Sequence, residues 1–185
     1  MAVGQVKATL DDLYRVTSKA ELIGGRIVHF PLSGRKPSRV AGRIARKLDD
    51  YAEQFGQGEA YTETIAFVIS ALPSGRESFS PDASFYKGPF PHDPMRFIEG
   101  APTFAAEVRS ENDYTPSAAL EMAEKRADYF QAGTEVVWDV DTEVECIHVY
   151  RASDATQPVT FLRGQIADAE PAVPGWKVAV DWIFS

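Results

Sequence analysis

The chain has 185 residues, 44% hydrophobic, 25% charged and 11% aromatic, an ordinary globular composition that fits one domain, residues 1–185, with a buried core. No apolar run approaches the roughly 20 residues of a membrane-spanning helix. The N-terminal stretch lacks the apolar core of a secretory leader, so the cytoplasm is the expected location. The formal net charge of −8 disfavours a protein that coats nucleic acid, because affinity for a polyanion comes largely from Lys and Arg at phosphates. The one cysteine, Cys146, excludes an internal disulfide framework and a cysteine-rich zinc site. Its alternating surroundings read as a strand and make it a small core residue.

In chain order, Thr9 followed by Leu10-Asp11-Asp12 reads as an N-cap with acids in the first turn of a short helix through Tyr14 and Arg15. Glu21-Leu22-Ile23, Gly24-Gly25 and Arg26 to Phe30 read as a β-hairpin, two apolar runs split by a turn. Residues 37–56 read as a helix, with Pro37 in its first turn, Gly56 at its end and a stripe of Val40, Ile44, Leu48, Tyr51 and Phe55. From Arg35 to Lys47 the only charges are cations: Arg35, Lys36, Arg39, Arg43, Arg46 and Lys47. Arg39, Arg43 and Arg46 share a flank of that helix beside the stripe. The row is either an ordinary solvated face or a strip that docks on a phosphate backbone.

Thr62 to Ser70 reads as a strand, as does Phe79 to Tyr86 with an interruption at Pro81. Lys87 to Pro102, with several Pro and Gly, reads as a loop. Thr103 to Val108 is a strand, Ala118 to Gln131 a helix stopped by Gly133, and Glu135–Val140 with Glu143–Tyr150 a hairpin turning at Asp141-Thr142. Val159 to Leu162 and Trp176 to Val180 close the order. The succession is a mixed α/β (α+β) sheet flanked by a few helices, without a regular βαβ series.

Three acids and a lysine stand out by context. Asp82 lies in Pro81-Asp82-Ala83-Ser84-Phe85, on the lip of a strand. Glu107 lies between Ala105-Ala106 and Val108, where a carboxylate is costly to desolvate unless paired, protonated or bound to a cation. A buried structural salt bridge and a metal site account for it equally. Lys125, midway along the later helix, reads by periodicity as an exposed lysine paired with Glu121. Glu21 opens the first hairpin strand, where an acid ordinarily faces solvent. Carboxylate oxygens suit Mg²⁺ or Mn²⁺ rather than zinc. The histidines His29, His92 and His148 have no ligand spacing, and no phosphate-binding Gly-rich loop or G-x-S-x-G elbow is present.

The order of the blocks resembles the Uma-two family, a branch of the PD-(D/E)xK nuclease superfamily. The matching stretches are Glu21 to Val28, Pro81 to Ser84, Ala101 to Ser110, Glu124 to Gly133 and Glu135 to Asp141, with Pro174-Gly175-Trp176 and Trp182-Ile183-Phe184 at the end. The resemblance implies a restriction-endonuclease-like mixed sheet flanked by helices and metal-dependent hydrolysis of DNA. It also implies Asp82, Glu107 and the main-chain carbonyl of Val108 as ligands of Mg²⁺ or Mn²⁺. Lys125 then takes the part of the superfamily's lysine, orienting or activating water, and Glu21 adds a further acid. Arg39 and Arg43 are candidates for substrate phosphates, and a homodimer follows by analogy if both strands are cut.

The chain departs from the family at two points. Pro37 and Ser38 stand about where many relatives carry a histidine. Arg109, two residues after Glu107, points to the same face by strand alternation. It is expected either to bind a phosphate or to pair with Glu107 and quench the site, which would leave a nuclease fold that binds without cutting.

Overall fold

A computed structural model describes residues 7–185; the first six, part of the N-terminal stretch read above, lie outside them. Helix α1 (Leu10–Leu13) starts where expected, with the Thr9 N–H donating to Asp12 Oδ2 at 2.8 Å, but ends before Tyr14. Strands β1 (Ala20–Ile23) and β2 (Arg26–His29) form the hairpin. Gly24 and Gly25 both have positive φ, 58° and 70°, the left-handed pair that a two-residue hairpin turn demands.

Helix α2 spans Arg35–Phe55 and buries Val40, Ile44, Leu48 and Tyr51 as the periodicity requires, but Phe55, the last residue of the expected stripe and of the helix, is exposed. Gly56 takes the left-handed C-cap. The expected strand over 62–70 splits into β3 (Glu59–Thr62) and β4 (Phe67–Val68). The chain turns at Glu63-Thr64, where the Glu63 carbonyl accepts from the Ser80 hydroxyl at 2.7 Å. Pro81, which has no N–H to give a ladder, separates β5 (Ser78–Phe79) from β6 (Ala83–Tyr86). Within the expected loop, β7 (Ile98–Glu99) pairs parallel with β4.

Strand β8 (Phe104–Val108) leads through a 3-10 turn (Glu111–Tyr114) into helix α3 (Pro116–Ala132), which Gly133 stops at φ 106°. Strands β9 (Val136–Asp141) and β10 (Cys146–Arg151) form the second hairpin, with a wider turn than expected. Asp141 stays in β9 and Glu145 adopts φ 59°. Strand β11 (Asp154–Phe161) is longer than its apolar tail suggested, because as an edge strand it exposes most of its residues. Strands β12 (Ile166–Asp168) and β13 (Lys177–Ala179) pair with each other, and α4 (Val180–Phe184) closes the chain.

The central sheet has six strands in the order β11-β10-β9-β8-β6-β3, with β8 and β9 parallel and the other neighbours antiparallel. It is the mixed sheet flanked by helices that the sequence predicts. Alternation along β8 divides its residues between two faces. Phe104, Ala106 and Val108 join the larger core with α2, Phe85, Trp138 and Trp176. Ala105 joins the smaller core with Tyr129 of α3, Phe67, Phe79 and Val137. Glu107 falls on that second face. Cys146 is buried, as expected, and burial pushes its thiol up.

Candidate active site

The β6–β8 ladder pairs Ala83 with Ala106, so the next position outward sets Asp82 beside Glu107. Pro81 ends the regular ladder here, and the Asp82 side chain takes the place of a main-chain acceptor. Its Oδ2 accepts from the Val108 N–H at 2.7 Å, while its own N–H donates to the Ala106 carbonyl at 3.1 Å. A strand residue's N–H and C=O point to the same edge, so the Val108 carbonyl also lies on the Asp82 side. Asp82 Oδ1 pairs with Lys19 Nζ at 2.5 Å.

Glu107 is buried, and its Oε1 accepts from Lys125 Nζ at 2.8 Å and from the Tyr129 hydroxyl at 2.6 Å. Its Oε2 has no hydrogen-bond partner among the described residues. Lys125 does not pair with Glu121 on the helix surface. Residues 125, 128 and 129 lie on one helical face, and that face is turned inward, so Lys125, Asp128 and Tyr129 are all buried. Lys125 Nζ also meets Glu21 Oε1 at 2.9 Å.

Glu21 corrects the expectation of a solvent-facing acid: it is 0% exposed. The short first hairpin lies over the sheet, and its acid is satisfied from several sides. Glu21 Oε1 accepts from the Ser80 N–H at 3.0 Å, and Oε2 pairs with Arg76. Arg76 in turn donates to Asp128 at 2.8 Å. Three carboxylates (Glu21, Glu107, Asp128) thus share two buried cations (Lys125, Arg76), and the network is one positive charge short.

The imbalance settles on Glu107. Burial, with Asp82 and Glu21 nearby, raises its carboxyl above the ordinary range against the pull of Lys125 and Lys19. Burial also works against ionised Glu21, but Lys125 and Arg76 outweigh it and hold that carboxyl low. Lys125 loses solvation too, yet Glu107 and Glu21 raise its pKa and keep it charged.

Asp82, Glu107, Val108 and Lys125 line one cavity of about 1050 Å³, between the first hairpin, the 63–66 turn and α3. Arg109, Arg39 and Arg43 do not. Arg109 shares the face of Glu107, as alternation requires, but reaches neither a free position nor Glu107. It forks onto Asp139 of the next strand at 2.7 Å from both oxygens and touches Asp141 at 3.4 Å. Arg39 and Arg43 sit on α2, across the sheet. Arg39 donates to the Ser185 carbonyl at 3.2 Å, and Arg43 bonds the Trp182 carbonyl and lies 5.1 Å from the Trp182 ring centre.

The sequence reading missed Lys19, Arg76, Asp128 and Tyr129 as members of this cluster. For Asp128 and Tyr129 the signal was their spacing from Lys125, three and four residues on. Nothing local ties Arg76, in a Pro-Gly turn, or Lys19, before the hairpin, to acids 52 to 63 residues away.

Among the described residues, no three or more His, Cys, Asp and Glu side chains form a metal-holding group. The oxygen donors come instead as the Asp82–Glu107 pair with the Val108 carbonyl beside it. The unpartnered Glu107 oxygen and the missing positive charge fit a hard divalent cation that keeps several waters.

No curated protein matches the chain significantly. Among solved structures, the crystal structure of a "putative nuclease belonging to DUF820" from Anabaena variabilis superposes with a TM-score of 0.74. The match covers 95% of this chain and 97% of that one at 18% identity, a likeness of fold. The family model Uma2, described as "Putative restriction endonuclease", matches residues 9–181, and the chain belongs to that family.

Proposed function

We propose that this protein is a Mg²⁺- or Mn²⁺-dependent endonuclease that hydrolyses DNA phosphodiester bonds. Asp82, Glu107 and the Val108 carbonyl are its metal ligands, and Lys125 is the lysine of its site. The observation that carries this reading is the Asp82–Glu107 pair on neighbouring strands at the cavity wall, with Glu107 Oε2 unpartnered. When bound, the ion supplies a polarised scissile phosphate and an acidified water.

The chain's own residues have separable parts. Lys125 stays protonated, so it serves as a fixed cation toward developing charge and not as the base. Together with Tyr129 it grips Glu107 Oε1 and so aims Oε2. Glu21, fully buried, works through Lys125 as a positioning residue. Arg109, Arg39 and Arg43 have no part at this cavity in this reading. Residues 1–185 act as one domain with one site, so cutting both strands of a duplex asks for two chains.

The direct test incubates supercoiled plasmid and Mn²⁺ with the wild type, Asp82→Ala and Glu107→Ala. The wild type is expected to nick and the variants not. Equal nicking by all three, or by none over a range of DNA substrates, overturns the proposal. A second reading, a nuclease fold that binds without cutting, is favoured by one observation: Lys19, Arg76 and Lys125, the cavity's lysines and arginine, are all engaged by acids. It expects calorimetry to find no Mn²⁺ binding that depends on Glu107.

A further inference from the structure

We propose that Lys19 is a placeholder cation, neutralising Asp82 in the metal-free protein and passing to a substrate phosphate when a divalent cation takes its place. This rests on the reading of Asp82 as a metal ligand.

The first ground is which oxygen Lys19 holds. Asp82 Oδ2 is committed to the Val108 N–H at 2.7 Å, which leaves Oδ1 as the oxygen open to a cation, and Lys19 Nζ sits on it at 2.5 Å. A divalent ion on that oxygen would stand beside the ammonium, and their like-charge repulsion favours the departure of Lys19.

The second ground is that the other cations of the cavity wall cannot be spared. Arg76 is held by Glu21 and Asp128, and Lys125 by Glu21 and Glu107. Moving either strips a fully or nearly buried carboxylate of its partner, which is strongly destabilising. Among the described residues Lys19 has one ion-pair partner, Asp82, the carboxylate that the incoming ion would neutralise.

Charge balance gives the third. Asp82, Glu107, Glu21 and Asp128 are four negative charges, against three positive ones from Lys19, Lys125 and Arg76. Exchanging Lys19 for a divalent ion makes the cluster neutral. The released ammonium then stands at the cavity wall as its one uncommitted cation among the described residues, suited to a phosphate as a flexible point charge.

The tether permits the movement. Lys19 lies just before β1, and its carbonyl accepts from the Phe30 N–H at 3.1 Å, so the backbone is anchored while the four-carbon stem can swing. The Phe30 ring centre is 5.6 Å from Lys19 Nζ, and its face offers the ammonium a surface to cross.

The test is calorimetric titration of the intact protein with Mn²⁺, comparing wild type, Lys19→Met, Lys19→Arg and Asp82→Asn. Lys19→Met, which removes the competitor, is expected to bind Mn²⁺ roughly tenfold more tightly. Lys19→Arg should bind no more tightly than wild type. Without metal, Lys19→Met should melt at a lower temperature, and saturating Mn²⁺ should close that gap. With a fluorescent DNA oligonucleotide in Ca²⁺, its salt dependence should correspond to about one phosphate contact fewer. Unchanged or weaker Mn²⁺ binding by Lys19→Met overturns the exchange even where Asp82→Asn abolishes binding. If Asp82→Asn binds Mn²⁺ as the wild type does, the metal reading itself fails and takes this one with it. Should Lys19→Met not fold, judged by circular dichroism, Lys19→Gln carries the same titration.

Discussion

Two ionic clusters stand side by side on one face of the sheet, around Glu107 of β8 and around its register partner Asp139 of β9. The Asp139 cluster is closed. Arg109 forks onto both oxygens of Asp139, and Arg126 approaches at 3.7 Å. Asp141 Oδ1 takes the Tyr114 hydroxyl and the Glu143 and Val144 N–H groups, while Oδ2 faces Arg109. Two acids meet two arginines, and each carboxylate oxygen has a partner. The Glu107 cluster leaves one oxygen and one charge open at a cavity. Ion clusters that only stabilise a fold close their valences, because an uncompensated buried charge is costly. An acid with an unpartnered oxygen beside a cavity is a candidate site.

Glu107→Gln should therefore have the largest effect, and on activity alone. It keeps the shape, removes the surplus buried charge and, in the proposed reading, takes away a metal ligand. Plasmid nicking with Mn²⁺ should fall by at least about a hundredfold. The thermal midpoint should hold or rise, since the carboxyl that burial pushes up is gone. A fall in midpoint with nicking intact would make Glu107 a structural acid and erase the contrast.

Asp139→Asn should invert that result. The forked pair is lost and Arg109 keeps a half-met guanidinium. Because Arg109 retains some access to water, the expected loss is about 2–3 kcal/mol in urea denaturation, below that of a fully buried pair. Mn²⁺ affinity should stay within about twofold, well short of the roughly tenfold or greater loss that follows removal of a residue supporting a metal ligand. A tenfold drop would join the two clusters into one functional unit.

How far this contrast could be read from the sequence differs by residue. Helix α2 was legible because Val40, Ile44, Leu48 and Tyr51 repeat at helical spacing and Gly56 stops them. Glu107 was legible because an acid between alanines and valine must be compensated. Its compensation was not, because Lys125 looks like any helical lysine until the fold turns its face inward. The sequence put Arg109 on the correct face but offered it only Glu107 or a phosphate. Its partner Asp139 comes from β9, whose parallel register with β8 is set by the helix between them. The seclusion of Glu21 likewise arises from a hairpin laid over the sheet, joined to Arg76 by a loop contact 55 residues away.

Glu21→Gln tests whether the innermost acid belongs to stability or to the site. Lys125 and Arg76 hold its carboxyl below the ordinary 4.5 despite burial. A depressed carboxyl contributes stability that is fully present above the ordinary value and is lost as pH falls through the folded one. At pH 7 the variant should be less stable by about 1–2 kcal/mol. The gap should shrink below pH 4.5 as the wild type takes up the proton. A gap independent of pH, followed by chemical denaturation from pH 7 downward, would show that lost packing and not lost charge is responsible.

The smallest effects come from a matched pair of tyrosines. The Tyr129 hydroxyl donates to Glu107 at 2.6 Å, and its ring stacks on Phe79 at 4.1 Å. Phenylalanine keeps the ring in place and removes only the donor, so Tyr129→Phe should cost about 1 kcal/mol of stability. Because that donor helps hold Oε1 and so aims Oε2, Mn²⁺ affinity should also fall, by a few-fold. The Tyr114 hydroxyl serves the closed cluster, donating to Asp141 at 3.1 Å and accepting from the Thr142 and Glu143 N–H groups at 3.0 Å. Tyr114→Phe leaves those amides to find water, so its stability loss should match or exceed that of Tyr129→Phe. Its Mn²⁺ titration should nonetheless overlay the wild type, since nothing it touches lines the cavity. If Tyr114→Phe weakens Mn²⁺ as much as Tyr129→Phe does, metal affinity follows general stability and not the aim of Glu107.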